Sequence, residues 1–254
     1  MFSDLLSAEL FATFLVFARI GAAFITLPSI GETFLNPRAR LAVALMLSVV
    51  AAPVVSPLLP DMPERLGDLA LLLLGEIVHG IFIGTVTRVL FNALAIAGVI
   101  WSFLSGLASA LLFNPLLADQ GALQSIFFTL LGLMLIFATD MHHLLIRTVV
   151  ESYVIFEPGQ APMLGDMADV VARTVADSFK LGIQLVAPLI VVALMFYTLL
   201  GLLARLMPQL QVFFIAMPLQ ILIGMVVMFI TIGGMMLWFL EQYREMLGMF
   251  LTSF

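Results

Sequence analysis

Long, unbroken apolar runs dominate the chain. Uncharged stretches cover residues 41–60, 89–118, 120–139, 181–204 and 206–240. A helix needs roughly 20 mostly apolar residues to cross the hydrocarbon core of a bilayer. Inside lipid it satisfies its own backbone, as an isolated strand cannot. The run 206–240 is long enough for one helix plus a turn, and the sequence MPQLQ at 207–211 supplies the turn signal. Two further segments carry isolated charges: 5–27 contains Glu9 and Arg19, and 69–88 contains Glu76, His79 and Arg88. The expected fold class is therefore all-α, an integral-membrane type built of helical hairpins.

Pro, Gly and charge mark the breaks, at 28–40, 60–68, 113–121, 156–180 and 205–211. Proline lacks the N–H that a helix interior needs and disfavours helix in the residue before it. Within the longest break, 166–180 places Val170, Val171, Val175 and Phe179 at helical spacing beside acidic positions. That pattern predicts a short amphipathic helix at the membrane interface. Basic residues set the orientation, because loops rich in Lys and Arg stay in the cytoplasm. Residues 28–40 hold two Arg and one Glu, and 205–211 hold one Arg and no acid, whereas 60–68 hold three acids to one Arg. Taking 69–113 as one long crossing gives six crossings with both termini outside.

Composition agrees with this pattern and removes alternatives. The 254 residues are 63% hydrophobic and 10% charged, against about 25% charged in an ordinary soluble domain. So few charges cannot cover a soluble globule, and the surplus apolar surface must face lipid or protein. No cysteine is present, so disulfides and thiolate metal centres are excluded. With 10 Lys and Arg and a net charge of −6, there is no basic stripe for nucleic acid. The opening MFSDLLSAEL carries Asp4 and Glu9 where a leader would carry Lys or Arg, which argues against a cleaved signal peptide.

Candidate functional residues fall into groups. Gly80 and Gly84 form a G-x-x-x-G step, and Gly98, Ser102, Gly106 and Ala110 extend a small-residue stripe at i, i+4. Small residues let membrane helices approach closely. Arg19, Glu76 and Arg88 stand in apolar segments, where an isolated charge is costly and calls for a partner on another helix or subunit. Asp140, His142 and His143 follow an apolar helix. Adjacent His residues point about 100° apart on a helix, and no metal site is expected there. Ser105–Gly106 lacks the G-x-S-G pattern of an intramembrane protease, since Phe103 occupies the first position. There is no P-loop, dinucleotide loop or carboxylate pair, so neither enzyme activity nor a cofactor is expected. The segment 106–121 combines small residues with Phe113 and an Asn114–Pro115 break. Uncharged, non-helical chain at membrane depth is tolerated where it is buried in protein or lines a cavity.

Several motifs together resemble the FliR family, the flagellar counterpart of the SctT proteins of type III secretion. FARIGAAFITLPSIGETFLNPRARLAVALMLSVVAAP (17–53) is similar to the family's opening, with Arg19, Pro28, Gly31, Pro37, Arg40 and Pro53 in place. GEIVHGIFIG matches at Glu76, Gly80 and Gly84, and ALLFNPL resembles its Phe-Asp/Asn-Pro break. APLIVVALMFYTLLGLLARLMPQLQVFFIAMPLQILIGM (187–225) carries Pro188, Gly201, Arg205, Pro208, Gln209, Phe213, Pro218 and Gly224.

The resemblance implies a subunit of a flagellar protein export gate in the bacterial inner membrane, at the flagellar basal body. FliP-like and FliQ-like subunits and an FlhB-like protein would be its partners, and unfolded export substrates would pass through. It implies a FliP-like part over 1–180 with a plug-like loop at 106–121 (Gly106, Phe113, Asn114, Pro115, Gly121). A FliQ-like hairpin would follow over 181–254, its cytoplasmic tip at Arg205, Pro208 and Gln209. It also implies an assembly raised from the bilayer plane. An SctT-type injectisome subunit and a small-solute transporter using Glu76 and Asp140 are the alternatives.

Overall fold

The computed structural model describes residues 2–32, 34–108, 123–207 and 212–251. Among these the chain forms nine α-helices and no strand: α1 Phe2–Thr26, α2 Pro37–Val55, α3 Leu66–Phe91, α4 Ala93–Leu104, α5 Leu123–Ala138, α6 Met141–Ile155, α7 Leu164–Leu185, α8 Ala187–Leu206 and α9 Val212–Leu247. The all-α membrane class is thus the observed one.

Local chemistry sets the helix starts and breaks. Asn36 caps α2, its side-chain oxygen accepting from the Arg38 amide at 2.9 Å, with Pro37 at the first helical position. A short polar acceptor at the cap satisfies an amide the helix cannot, and proline at this position loses no bond. α5 and α6 are separated by Thr139 and Asp140, and the chain bends there by 79°. Asp140 takes the left-handed conformation at φ 57°, which Asp adopts more readily than most residues. Between α3 and α4 only Asn92 interrupts the helix.

The helices fall into two compact units. The first comprises Met1–Leu90, Ile136–Val175 and Tyr243–Phe254. Here α1 packs against α2 and α6 around Leu15, Val16, Ile20, Phe24, Ile83 and Leu145. Gly80 and Gly84 bring α3 onto α1. A methyl at Gly80 would overlap the Arg19 carbonyl oxygen and lie 2.9 Å from the Ala22 methyl; one at Gly84 would lie 2.8 Å from the Ala23 carbonyl oxygen. The contacts advance together along both chains, so α1 and α3 run the same way. The second unit comprises Phe91–Leu135 and Ala176–Gln242. Its core holds Trp101 edge-on to Phe128 at 5.8 Å, both fully buried. α4 rests on α8, and Gly98 lies against the backbone of Gln124 and Ser125 at the start of α5.

Five helical segments are long and apolar enough to cross a membrane, or six if the bent α5–α6 pair counts as one. The six-crossing count survives only with that pair. Two segments exceed a bilayer: Leu66–Leu104 has 39 residues and α9 has 36. At about 1.5 Å per residue these are ~58 and ~54 Å of helix, well above a hydrocarbon core of about 30 Å. α9 presents Phe229 at 86% exposure, with Ile230 and Leu237 also outward. The expected amphipathic helix at 166–180 lies within α7, which alternates exposed acids with buried Met167, Thr174, Ser178 and Leu181.

Gly80 and Gly233 provide a matched pair for testing the close approach. Gly80→Ala should lower the unfolding temperature in detergent, by the equivalent of about 1–3 kcal/mol, because the obstructing atoms are backbone. Gly233→Ala, where an added methyl meets nothing within 4 Å, should leave it unchanged or slightly higher. Equal effects at both positions would remove glycine packing as the reason α1 and α3 approach.

Candidate functional site

The first unit is organised around one buried ion pair. Arg19 sits at 0% exposure on α1 and Glu76 at 1% on α3. The guanidinium grips the carboxylate with two bonds, Nε to Oε2 at 2.6 Å and Nη2 to Oε1 at 3.0 Å. Its remaining donors are also placed. Nη2 reaches the Phe156 carbonyl at 2.9 Å, and Nη1 reaches Ser152 Oγ at 3.3 Å. The Tyr153 ring lies beneath, 3.8 Å from the guanidinium carbon. The Tyr153 hydroxyl in turn donates to the Val16 carbonyl at 3.4 Å. His79, one turn from Glu76, stacks on Phe156 at 5.1 Å. Three helices, α1, α3 and α6, are thereby tied at one depth. A planar fork with a partner at each of its three nitrogens can hold a charge in an apolar interior; an unpaired one cannot.

The other charged candidate lies at the end of α3. Arg88 is 36% exposed and reaches Glu32 Oε1 and the Thr26 carbonyl, each at 3.3 Å. Part-exposed pairs of this kind contribute little. The same loop receives Arg40, whose Nη2 donates to the Glu32 carbonyl at 2.8 Å.

In the second unit a polar clamp joins the two helices of the terminal hairpin to the end of α4. Gln220 Nε2 on α9 donates to the Leu104 carbonyl at 2.8 Å and to the Tyr197 hydroxyl on α8 at 2.7 Å. Tyr197 and Gln220 are equidistant in sequence from 208–209, the register of two antiparallel helices. Gly106 follows at φ 75°, a conformation costly for any other residue but Asn or Asp. A side chain there would also press on the Gln220 amide at 3.3 Å. A methyl at Gly224 would lie 2.6 Å from Ser105 Cβ. Ser102 and Ser105 are buried, and Ser105 Oγ donates weakly to the Ser102 carbonyl at 3.4 Å.

Asp140, His142 and His143 come together more closely than helical spacing alone suggests. Their donor atoms lie within 4.8 Å of one another, and the imidazole centroids are 4.1 Å apart. The turn at Asp140 makes this possible. Asp140 and His143 are exposed, and their nearest donor atoms stand 3.7 Å apart, beyond a hydrogen bond. Arg205 is exposed in the last turn of α8. Phe113, Asn114, Pro115 and Gly121 of the plug-like segment, and Pro208 and Gln209 of the hairpin tip, lie outside the described residues.

Sequence reasoning singled out Arg19, Glu76 and Arg88 but not Ser152, Tyr153, Gln220 or Tyr197. The missing signal is spatial. Two opposite isolated charges in separate apolar helices could have been matched as a pair. A neutral amide that binds a carbonyl 116 residues away leaves no trace in composition.

These features define an α-helical membrane protein whose few interior charges tie helices together. Residues 10–246 match the family described as bacterial export proteins, family 1, and the chain belongs to that family. It is 38% identical to the flagellar biosynthetic protein FliR of Caulobacter vibrioides over 95% of this chain and 96% of that protein. It is 27% identical to the FliR of Bacillus subtilis over 95% and 96% of the two chains. It is also 27% identical to the Yop proteins translocation protein T of Yersinia pestis over 93% and 91%.

Removing one partner of the buried pair should cost more than removing both. Glu76→Leu leaves Arg19 uncompensated and should destabilise the protein by about 3–5 kcal/mol, whereas Arg19→Met with Glu76→Leu should recover most of that loss. A double-mutant cycle on thermal unfolding measures the coupling; additive losses would mean the two residues act separately. In the second unit, Gln220→Leu should cost about 1 kcal/mol, because the Leu104 carbonyl loses its donor. Tyr197→Phe should cost less, since that carbonyl keeps its bond.

Proposed function

We propose that the chain is the FliR-type subunit of a flagellar type III export gate in the bacterial inner membrane, at the flagellar basal body. It joins FliP-like and FliQ-like subunits, an FlhB-like protein packs at the cytoplasmic mouth, and unfolded flagellar proteins pass through the assembled channel. The observation that carries this reading is the 38% identity to a flagellar FliR along nearly the full length of both chains. The apolar exterior supports it, because helices far longer than a bilayer is thick need either lipid or sister helices along much of their surface. An injectisome role has one specific observation in its favour, the relative from Yersinia pestis. The higher identity to the Caulobacter protein favours the flagellum.

Within this reading the residues divide by task. Residues 1–180 form the FliP-like part and 181–254 the FliQ-like part, with Arg205, Pro208 and Gln209 at the cytoplasmic tip. Gly80, Gly84, Gly98 and Ser102 pack helices, and Arg19 with Glu76 fixes their register. The segment containing Gly106, Phe113, Asn114, Pro115 and Gly121 acts as the plug. Its uncharged, small and apolar side chains can close a pore without binding any one substrate sequence. The Gln220 clamp on Leu104 supports its base from the hairpin side. The work is mechanical, and the subunit is neither an enzyme nor dependent on a cofactor or metal.

Co-expression with FliP-like and FliQ-like partners should yield one complex on affinity purification, and a strain lacking the gene should stop secreting flagellar proteins. Deleting 106–121 should raise ion leakage in cells that express the whole gate while the complex still purifies. Normal secretion by the deletion strain would overturn the export role. Unchanged leakage would overturn the plug assignment alone.

A further inference from the structure

The groove between α1 and α2 combines apolar walls with an arginine that lacks a counter-charge. It encloses 440 Å³ and is lined by Phe17, Gly21 and Ile25 of α1, Arg40 and Leu41 of α2, and Ile77 of α3. From Phe17 to Ile25 its wall is about 12 Å of helix. Arg40 stands at one end. Its Nη2 bonds the Glu32 carbonyl, but its buried Nε has no partner. No carboxylate lies within ion-pair distance of it among the described residues, and the Glu32 carboxylate nearby is taken by Arg88. Arg40 and Arg88 therefore meet a single Glu32 at this end of the unit.

A guanidinium held at the mouth of a greasy slot is half of a recognition pair. The missing half needs an anionic oxygen for Nε and a hydrocarbon body for the slot. A free phosphate supplies only the first, a zwitterionic lipid sets its own cation against two arginines, and an apolar helix supplies only the second. We propose that this groove binds one anionic phospholipid, its phosphate on Arg40 and one acyl chain along Gly21 and Ile25. The same end carries the arginines that orientation rules assign to the cytoplasmic leaflet, where anionic headgroups attract basic segments. This inference does not rest on the export role; it concerns only the α1–α2 pair and the membrane around it.

The test uses the purified full-length protein in detergent, incubated with dipalmitoyl phosphatidylglycerol or with phosphatidylcholine of the same chains. Lipid retained per subunit is read by native mass spectrometry. Phosphatidylglycerol should be retained in preference, and Arg40→Gln should lower its retention about fivefold, with Arg40→Lys recovering most of it. Gly21→Leu should abolish retention by filling the slot. A Cβ at Gly21 meets only the Phe17 ring, at 3.7 Å, so the fold should survive, which an unchanged lipid-free unfolding temperature verifies. Equal retention of the two lipids, or full retention by Arg40→Gln, would overturn the proposal. So would displacement of the lipid by soluble glycerol phosphate, which marks an anion site without a chain. If Gly21→Leu blocks subunit assembly while leaving lipid retention intact, the groove seats another subunit and the lipid proposal fails.

Discussion

A charge placed in an apolar interior must be neutralised where it stands. In water the cost of misplacing a helix by one turn is spread over many weak contacts. Around Arg19 it is concentrated in one group, which would otherwise lie unpaired in a medium that cannot solvate it. Glu76, Ser152, Tyr153 and the Phe156 carbonyl meet that demand together. Their positions fix the rotation and height of α1, α3 and α6 at once. The glycine at position 80 belongs to the same arrangement. It lies one turn from Glu76 on the same face of α3, and its missing side chain allows the backbones to approach closely enough for the two-bond grip to form.

The second unit meets a different demand with neutral groups. An abrupt end to α4 leaves backbone carbonyls without helical partners. The Gln220 amide, reaching across from α9, takes the Leu104 carbonyl while its other proton goes to Tyr197. A single side chain thus closes the helix end, ties the hairpin to it and crowds the left-handed glycine that follows. Neutral hydrogen bonds are weaker than the Arg19 pair but easier to exchange.

The outer faces complete the logic. Helices of about 54–58 Å cannot be buried in a single bilayer leaflet pair without tilt or projection, and exposed Phe229, Ile230 and Leu237 require apolar surroundings. Membership of the bacterial export proteins supplies a context in which both lipid and companion subunits are at hand. Isolated in water, such a chain would have no favourable state.

The chain's own pattern settled the helical class, the positions of most breaks and the presence of charges that needed partners, because these depend on composition and on spacing within about one helical turn. Asn36–Pro37 starting α2 is local chemistry and was readable as such. Which charge meets which was not. Arg19 and Glu76 are 57 residues apart, and Gln220 and Leu104 are 116 apart. Helix periodicity carries no information about crossings between distant segments. The closeness of Asp140, His142 and His143 likewise came from one left-handed residue that no spacing rule foresees. Only the folded arrangement, where glycines set distances and buried charges set register, decides those pairings.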